Sequence, residues 1–263
     1  MLKKLLKYDI KGTGKSLIPF YGIVLLLSIL VRLSEIIKEH FPITGFINAM
    51  MLLFFVIAVI AIVFYTFFVA IKRFYQTVLK DEGYLTNTLP VKRSNIVLSQ
   101  ILTALIFVIT SIIVMASSLF IAFYSKESFK DLIDFLNTNL SLMGTKPWIA
   151  YSYAGIMLIL SYITYIIVFI LALILGHQKS KNKIVYSFMY GIIIYCILQV
   201  ISLLALGIAI IFDNNLIEVM NRTNVLFNEI TPIFIAAGIS SLITPFIGYL
   251  LSCKFINTKL NLE

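Results

Sequence analysis

GFINAMMLLFFVIAVIAIVFYTFFVAI, residues Gly45 to Ile71, contains no Asp, Glu, Lys or Arg. An α-helix rises 1.5 Å per residue and the hydrocarbon core of a bilayer is about 30 Å thick, so roughly 20 apolar residues in a row cross it. This stretch is long enough with more than a turn to spare. Four further charge-free runs meet the same test: Ile96 to Tyr124, Ile149 to Gly176, Ile184 to Phe212 and Ile230 to Cys253. A sixth, Ser16 to Val31, is shorter; Pro19 near its start suits a first helical turn, where its missing N–H costs nothing. It follows a Lys-rich start, yet Val31-Arg32-Leu33-Ser34-Glu35 lacks the small-residue pattern of a signal-peptide cleavage site, so it is kept as a span. The chain as a whole is 60% hydrophobic and 13% charged, with mean hydropathy +1.01. The fold class expected is all-α: a polytopic membrane protein, residues 1–263 forming one transmembrane domain, with spans at about 16–33, 45–71, 96–124, 149–176, 184–212 and 230–253.

Orientation follows from the basic residues, which concentrate in cytoplasmic loops. Segment 1–15, loop 72–95, the loop after the fourth span and the tail together hold 15 Lys and Arg, against 6 in the alternate loops. Both termini are expected inside. Acidic residues run the other way, four inside and eight outside, so the net charge of +9 splits into +11 inside and −2 outside. The basic balance thus reflects topology, and no nucleic-acid partner is expected. Cys196 lies within the fifth span and Cys253 at the end of the sixth, and neither place favours a disulfide.

The chemistry of an independent pump or enzyme is missing from the spans. Ion-coupled carriers place Asp, Glu, Arg or His within the membrane, and the long spans hold none. Asn48, Gln100, Thr103 and Gln199 are uncharged groups of the kind that link helices. Gly12-Thr13-Gly14-Lys15-Ser16 matches the end of a phosphate-binding loop, but the Gly required five residues before Gly14 is Asp9, and a span follows. The glycines read instead as a flexible joint. His40 and His177 fall on opposite sides of the membrane, and Ser161 and Ser240 have no base in their spans. No catalytic residue, metal site or bound cofactor is expected on this chain.

Three segments outside the spans carry information. In 1–15, Lys3, Lys4, Lys7 and Lys11 fall on one helical face and Leu2, Leu5, Leu6 and Ile10 on the rest, the pattern of an interfacial amphipathic helix. Asp9 stands in the apolar arc, either at a frayed end open to water or as an ion-pair partner of the second loop or another protein. Residues 128–140 show a capping box at Ser128 and Asp131 and helical spacing thereafter, consistent with a short outer helix that either covers the spans or gates them. Trp148, Tyr151 and Tyr153 mark the interface where the fourth span begins.

The third segment is loop 72–95. Phe74 to Leu79 continues the second span, Gly83 permits a change of direction, and Ser94 is placed to cap the third span. Tyr84, Leu85 and Leu89 form an apolar ridge, closed by Pro90 and flanked by Asp81, Glu82, Lys92 and Arg93. Such a ridge either enters a groove on another protein or folds back under the membrane.

Asp81-Glu82-Gly83-Tyr84-Leu85-Thr86-Asn87-Thr88-Leu89-Pro90-Val91 resembles the signature stretch of bacterial ABC-2 type permeases, the membrane subunits of one branch of ATP-binding-cassette exporters. The basic N-terminus, six spans and cytoplasmic ends resemble that family as well. The resemblance implies a subunit of a bacterial cell membrane that does not itself hydrolyse ATP. Loop 72–95 would be the coupling helix docked on a separate ATPase, two copies of which hold ATP and Mg, with the N-terminal helix alongside the loop. It makes Glu82, Tyr84, Leu85 and Leu89, with Asp9, the residues expected to contact the ATPase. It also implies a second permease, identical or related, completing the pathway. Phe64 and Phe68 in the second span and Tyr186 and Tyr190 in the fifth could line that path, or simply pack against helices and lipid. The family often has a re-entrant segment between spans five and six; 214–229 has the length for one, though not the apolarity. Hydrophobic or amphipathic cargo is expected, with amphipathic or toxin peptides first. The rival expectation is a membrane immunity or sensor protein that binds a toxic peptide without moving it.

Overall fold

The computed structural model describes residues 2–40, 45–80, 83, 91–124, 130, 134, 147–213, 215–222 and 227–257. Among them there are helices and no strand: α1 (Leu2–His40), α2 (Gly45–Phe74) continued by a π-helical turn (Tyr75–Leu79), α3 (Arg93–Phe123), α4 (Pro147–Gly176), α5 (Lys183–Phe212), a short α6 (Leu216–Met220) and α7 (Phe227–Ile256). All but α6 are long and apolar enough to cross a membrane, so the described residues hold six such helices. Each is built on one of the charge-free runs: α2, α4, α5 and α7 contain theirs and extend it by up to three residues at an end, α3 begins three residues before its run and stops one short of Tyr124, and α1 extends far beyond its run on both sides.

The first span departs most from expectation. One helix of 39 residues runs through Gly12, Gly14 and Pro19 without a break. Asp9, Thr13, Leu17, Tyr21, Val24, Ser28 and Val31 are all buried and recur every three or four residues, so a single face continues from the basic end deep into the bundle. The glycines serve close approach rather than bending. A Cβ on Gly12 would stand 2.8 Å from the guanidinium carbon of Arg73, and one on Gly14 would stand 3.5 Å from the Phe107 ring. Pro19, well inside the helix rather than in its first turn, removes the donor for the Lys15 carbonyl. Leu17 and Tyr21, packed on either side of it, keep the helix in place.

At the start of α3 the expected cap at Ser94 is not the one observed. Lys92 occupies the cap position with extended backbone and no side-chain hydrogen bond, because a lysine carries no acceptor. The Asn95 N–H closes the turn onto the Lys92 carbonyl at 2.9 Å.

The chain gathers into two compact units, residues 1–76 with 90–131 and residues 77–89 with 132–263. In the first, α1, α2 and α3 pack around Leu17, Tyr21, Val24, Ala58, Ile62, Val69 and Phe107, with Val31, Phe55 and Ala122 towards the other end. In the second, α4 and α5 form a hairpin whose crossing is so close that a Cβ on Gly176 would lie 2.0 Å from the Ser187 hydroxyl. Its turn ends at Asn182, which holds φ 53° and ψ 40°, a left-handed conformation that Asn tolerates better than most residues. Against α4 lies α7, where Gly248 admits the Ile167 side chain and the Tyr153 hydroxyl donates to the Phe234 carbonyl at 2.6 Å. Gln178 donates to the Phe255 carbonyl at 3.2 Å, satisfying one acceptor of the last turn of α7.

Candidate functional site

Asp9 is buried, and the first unit is built to hold it. Its carboxylate accepts a short hydrogen bond from the Ser99 hydroxyl on one oxygen and a 2.8 Å bond from the Gln100 amide on the other. Arg73, at the end of α2, brings its guanidinium to 4.0 Å from the same oxygen that Gln100 serves. Gly12, three residues along α1, leaves the space in which that guanidinium lies. An ionised carboxylate withdrawn from water is stable only when paired and hydrogen-bonded, and these groups supply both.

The partners come from both ends of loop 72–95. Arg73 stands at its beginning, and Ser99 and Gln100 stand on the first turns of α3 just after its end. A single side chain of α1 therefore ties together the two helices from which the loop hangs. The charge-free run of α2 stops at Ile71, so the pair lies at the edge of the apolar region, where a guanidinium can reach polar surroundings. One turn further in, the buried hydroxyls of Thr13 and Thr103 make no hydrogen bond among the described residues.

Deeper in the same bundle a second polar contact joins the three helices. The Ser111 hydroxyl lies 2.8 Å from that of Tyr21 and 2.7 Å from that of Thr66, and all three residues are buried. Near the opposite end, Ser34 donates to Asn48 at 2.9 Å. Gln100 and Asn48 thus link helices, as their residue types suggested. Among the described residues Thr103 is buried without such a link, and Gln199 is exposed on α5.

Asp9 is an ion-pair partner of Arg73 rather than a frayed, water-exposed group. Its carboxylate faces inward, while Lys3, Lys4, Lys7, Lys11 and Lys15 are exposed. Glu82, Tyr84, Leu85 and Leu89 lie outside the described residues, as does nearly all of 128–140. Within 81–90 only Gly83 is described, its N–H donating to the Lys80 carbonyl at 2.8 Å. Phe64 and Phe68 are exposed along one face of α2 in the first unit. Tyr186 and Tyr190 belong to the second, Tyr186 with the Lys179 ammonium 5.7 Å from its ring centre. Between α5 and α7, Leu216 and Val219 of α6 are buried, whereas Glu218 is exposed and paired with Arg222 at 3.6 Å. Cys196 and Cys253 are free thiols.

The roles of Arg73 and Ser99 were not singled out from sequence. The available signal was helical phase: the buried stripe of the first span, carried back through Thr13, reaches Asp9 and demands a partner for it. In comparisons with known proteins the chain matches no family model, no curated protein and no solved structure.

Proposed function

We propose that this chain is the membrane permease subunit of an ATP-driven exporter of the ABC-2 type, in a bacterial plasma membrane with both termini inside. It moves a hydrophobic or amphipathic substrate, an amphipathic or toxin peptide being the first candidate, and pairs with a second permease. Separate ATPase subunits hold ATP and Mg and dock on loop 72–95 through Glu82, Tyr84, Leu85 and Leu89. Residues 1–15 lie at the inner interface with their lysines among the lipid head groups.

The observation that carries this proposal is the tie between Asp9 and both ends of loop 72–95. A loop that receives a push from outside the membrane must pass it to helices, and a push is lost if the loop's two ends move independently. Asp9 makes α1, the end of α2 and the start of α3 respond together. It acts as a positioning residue for Arg73 at the start of the loop and for Ser99 and Gln100 just after its end. The six long apolar helices supply a membrane body, and the charge-free runs hold no ion-coupling group, which accords with energy arriving from a partner.

Efflux is the test. In inside-out vesicles carrying the chain and its ATPase, ATP should drive a fluorescent amphipathic peptide into the lumen, and an ATPase disabled in its phosphate-binding lysine should not. Peptide binding of equal strength with and without ATP, and no accumulation, would favour the immunity or sensor role instead.

A further inference from the structure

At mid-length, the three long helices of the second unit bring polar residues to one place. Ser161 and Tyr165 of α4, Tyr195 and Gln199 of α5, and Ser241 and Thr244 of α7 all lie within about a turn of their helix midpoints and line a pocket of about 160 Å3. In helices that cross a bilayer, that depth is the centre of the hydrocarbon. The Gln199 amide and the Tyr165 and Tyr195 hydroxyls make no hydrogen bond within the chain among the described residues, and both tyrosines are nearly half exposed. Pro245 has no N–H, so the Ser241 carbonyl lacks its donor four residues on. Unpaired amide, hydroxyl and carbonyl groups at this depth are costly unless something else pairs with them.

Thr164 and Thr244 also line a second, larger space, a groove of about 840 Å3 walled by Ile, Leu, Val and Ala side chains of the same three helices. Among the described residues no charged side chain lines either space. Along α5 the groove runs from Ile194 to Phe212, about 27 Å at 1.5 Å per residue. The apolar walls along that length suit an extended hydrocarbon chain, and at Thr164 and Thr244 the groove meets the polar pocket.

We infer that this composite site binds a neutral single-chain amphiphile of the membrane, its hydrocarbon chain in the groove and an uncharged hydroxyl or amide against Gln199, Tyr165 and Tyr195. The inference needs only that the helices cross a bilayer, and it stands whether or not an ATPase docks on loop 72–95.

The probe is hexadecanol carrying a diazirine in its chain, photolysed with the full-length protein in lipid nanodiscs and mapped by peptide mass spectrometry. Saturable labelling should concentrate on residues 164–171, 194–212 and 231–251. Gln199→Leu, a change at an exposed position, should weaken hexadecanol binding about five-fold, the worth of one neutral hydrogen bond. The same variant should leave an alkane diazirine of equal length unaffected, and Ala236→Trp, which fills the groove, should abolish labelling by both. Palmitate should compete poorly, since no cation lines the pocket among the described residues. Unsaturable labelling spread evenly over α1 to α7 would overturn the proposal, as would unchanged hexadecanol affinity in Gln199→Leu. So would a disulfide between two copies through Ile201→Cys that excludes the probe, because a second copy would then be the occupant.

Discussion

A carboxylate on the apolar arc of a basic helix is out of place until its partners are known. Asp9 is stabilised by Ser99, Gln100 and Arg73, and the first two stand 90 and 91 residues away in sequence. No local pattern could announce such a contact; only the conflict at Asp9 and the helical phase of α1 were legible. Removing one member of a buried pair leaves the other without compensation. Asp9→Ala is therefore expected to lower stability by about 3 kcal/mol, the low end for such pairs, because Arg73 keeps one-fifth of its side chain exposed. Thermal unfolding in detergent measures it, and a double-mutant cycle with Arg73→Ala should return a coupling of about 1 kcal/mol or more. Gly12→Ala tests the geometry separately. Its Cβ would displace the guanidinium, so the cycle measured in that background should lose most of its coupling.

At the scale of elements, sequence and structure agree where the bilayer imposes length and part where packing decides. Six charge-free runs gave six long helices, since a span needs a set number of apolar residues whatever its neighbours are. The division of α1 into a surface helix, a joint and a span did not appear, because Gly12 and Gly14 answer to Arg73 and Phe107 rather than to local flexibility. The polar pocket of α4, α5 and α7 was equally hidden, as it depends on the relative rotation of three helices. The α4–α5 hairpin makes a sharp element-level prediction. Gly176→Ala places a Cβ into Ser187, including its backbone, so the two helices must separate and the variant should unfold at markedly lower temperature than wild type. Asn182→Gly should be close to neutral, whereas Asn182→Val should cost about 1–2 kcal/mol, the penalty for a Cβ-branched residue held at positive φ.

For the whole molecule, orientation and partnership are the quantities that matter. With Cys196 and Cys253 replaced by alanine, Lys80→Cys and Lys181→Cys should react with an impermeant maleimide only in permeabilised cells, and Lys38→Cys and Arg222→Cys in intact ones. The opposite pattern would invert the basic-residue count and move loop 72–95 away from any cytoplasmic ATPase. Given the expected orientation, the exporter proposal reduces to one contact between chains. The decisive measurement is co-purification of the tagged chain with a co-expressed soluble ATPase that carries a complete phosphate-binding loop, whose gene the exporter proposal expects beside that of this chain. Wild type should retain the ATPase, while Tyr84→Ala should weaken the association and Leu89→Asp should abolish it with the chain still folded. Equal retention by all three, or by none, would contradict docking through loop 72–95.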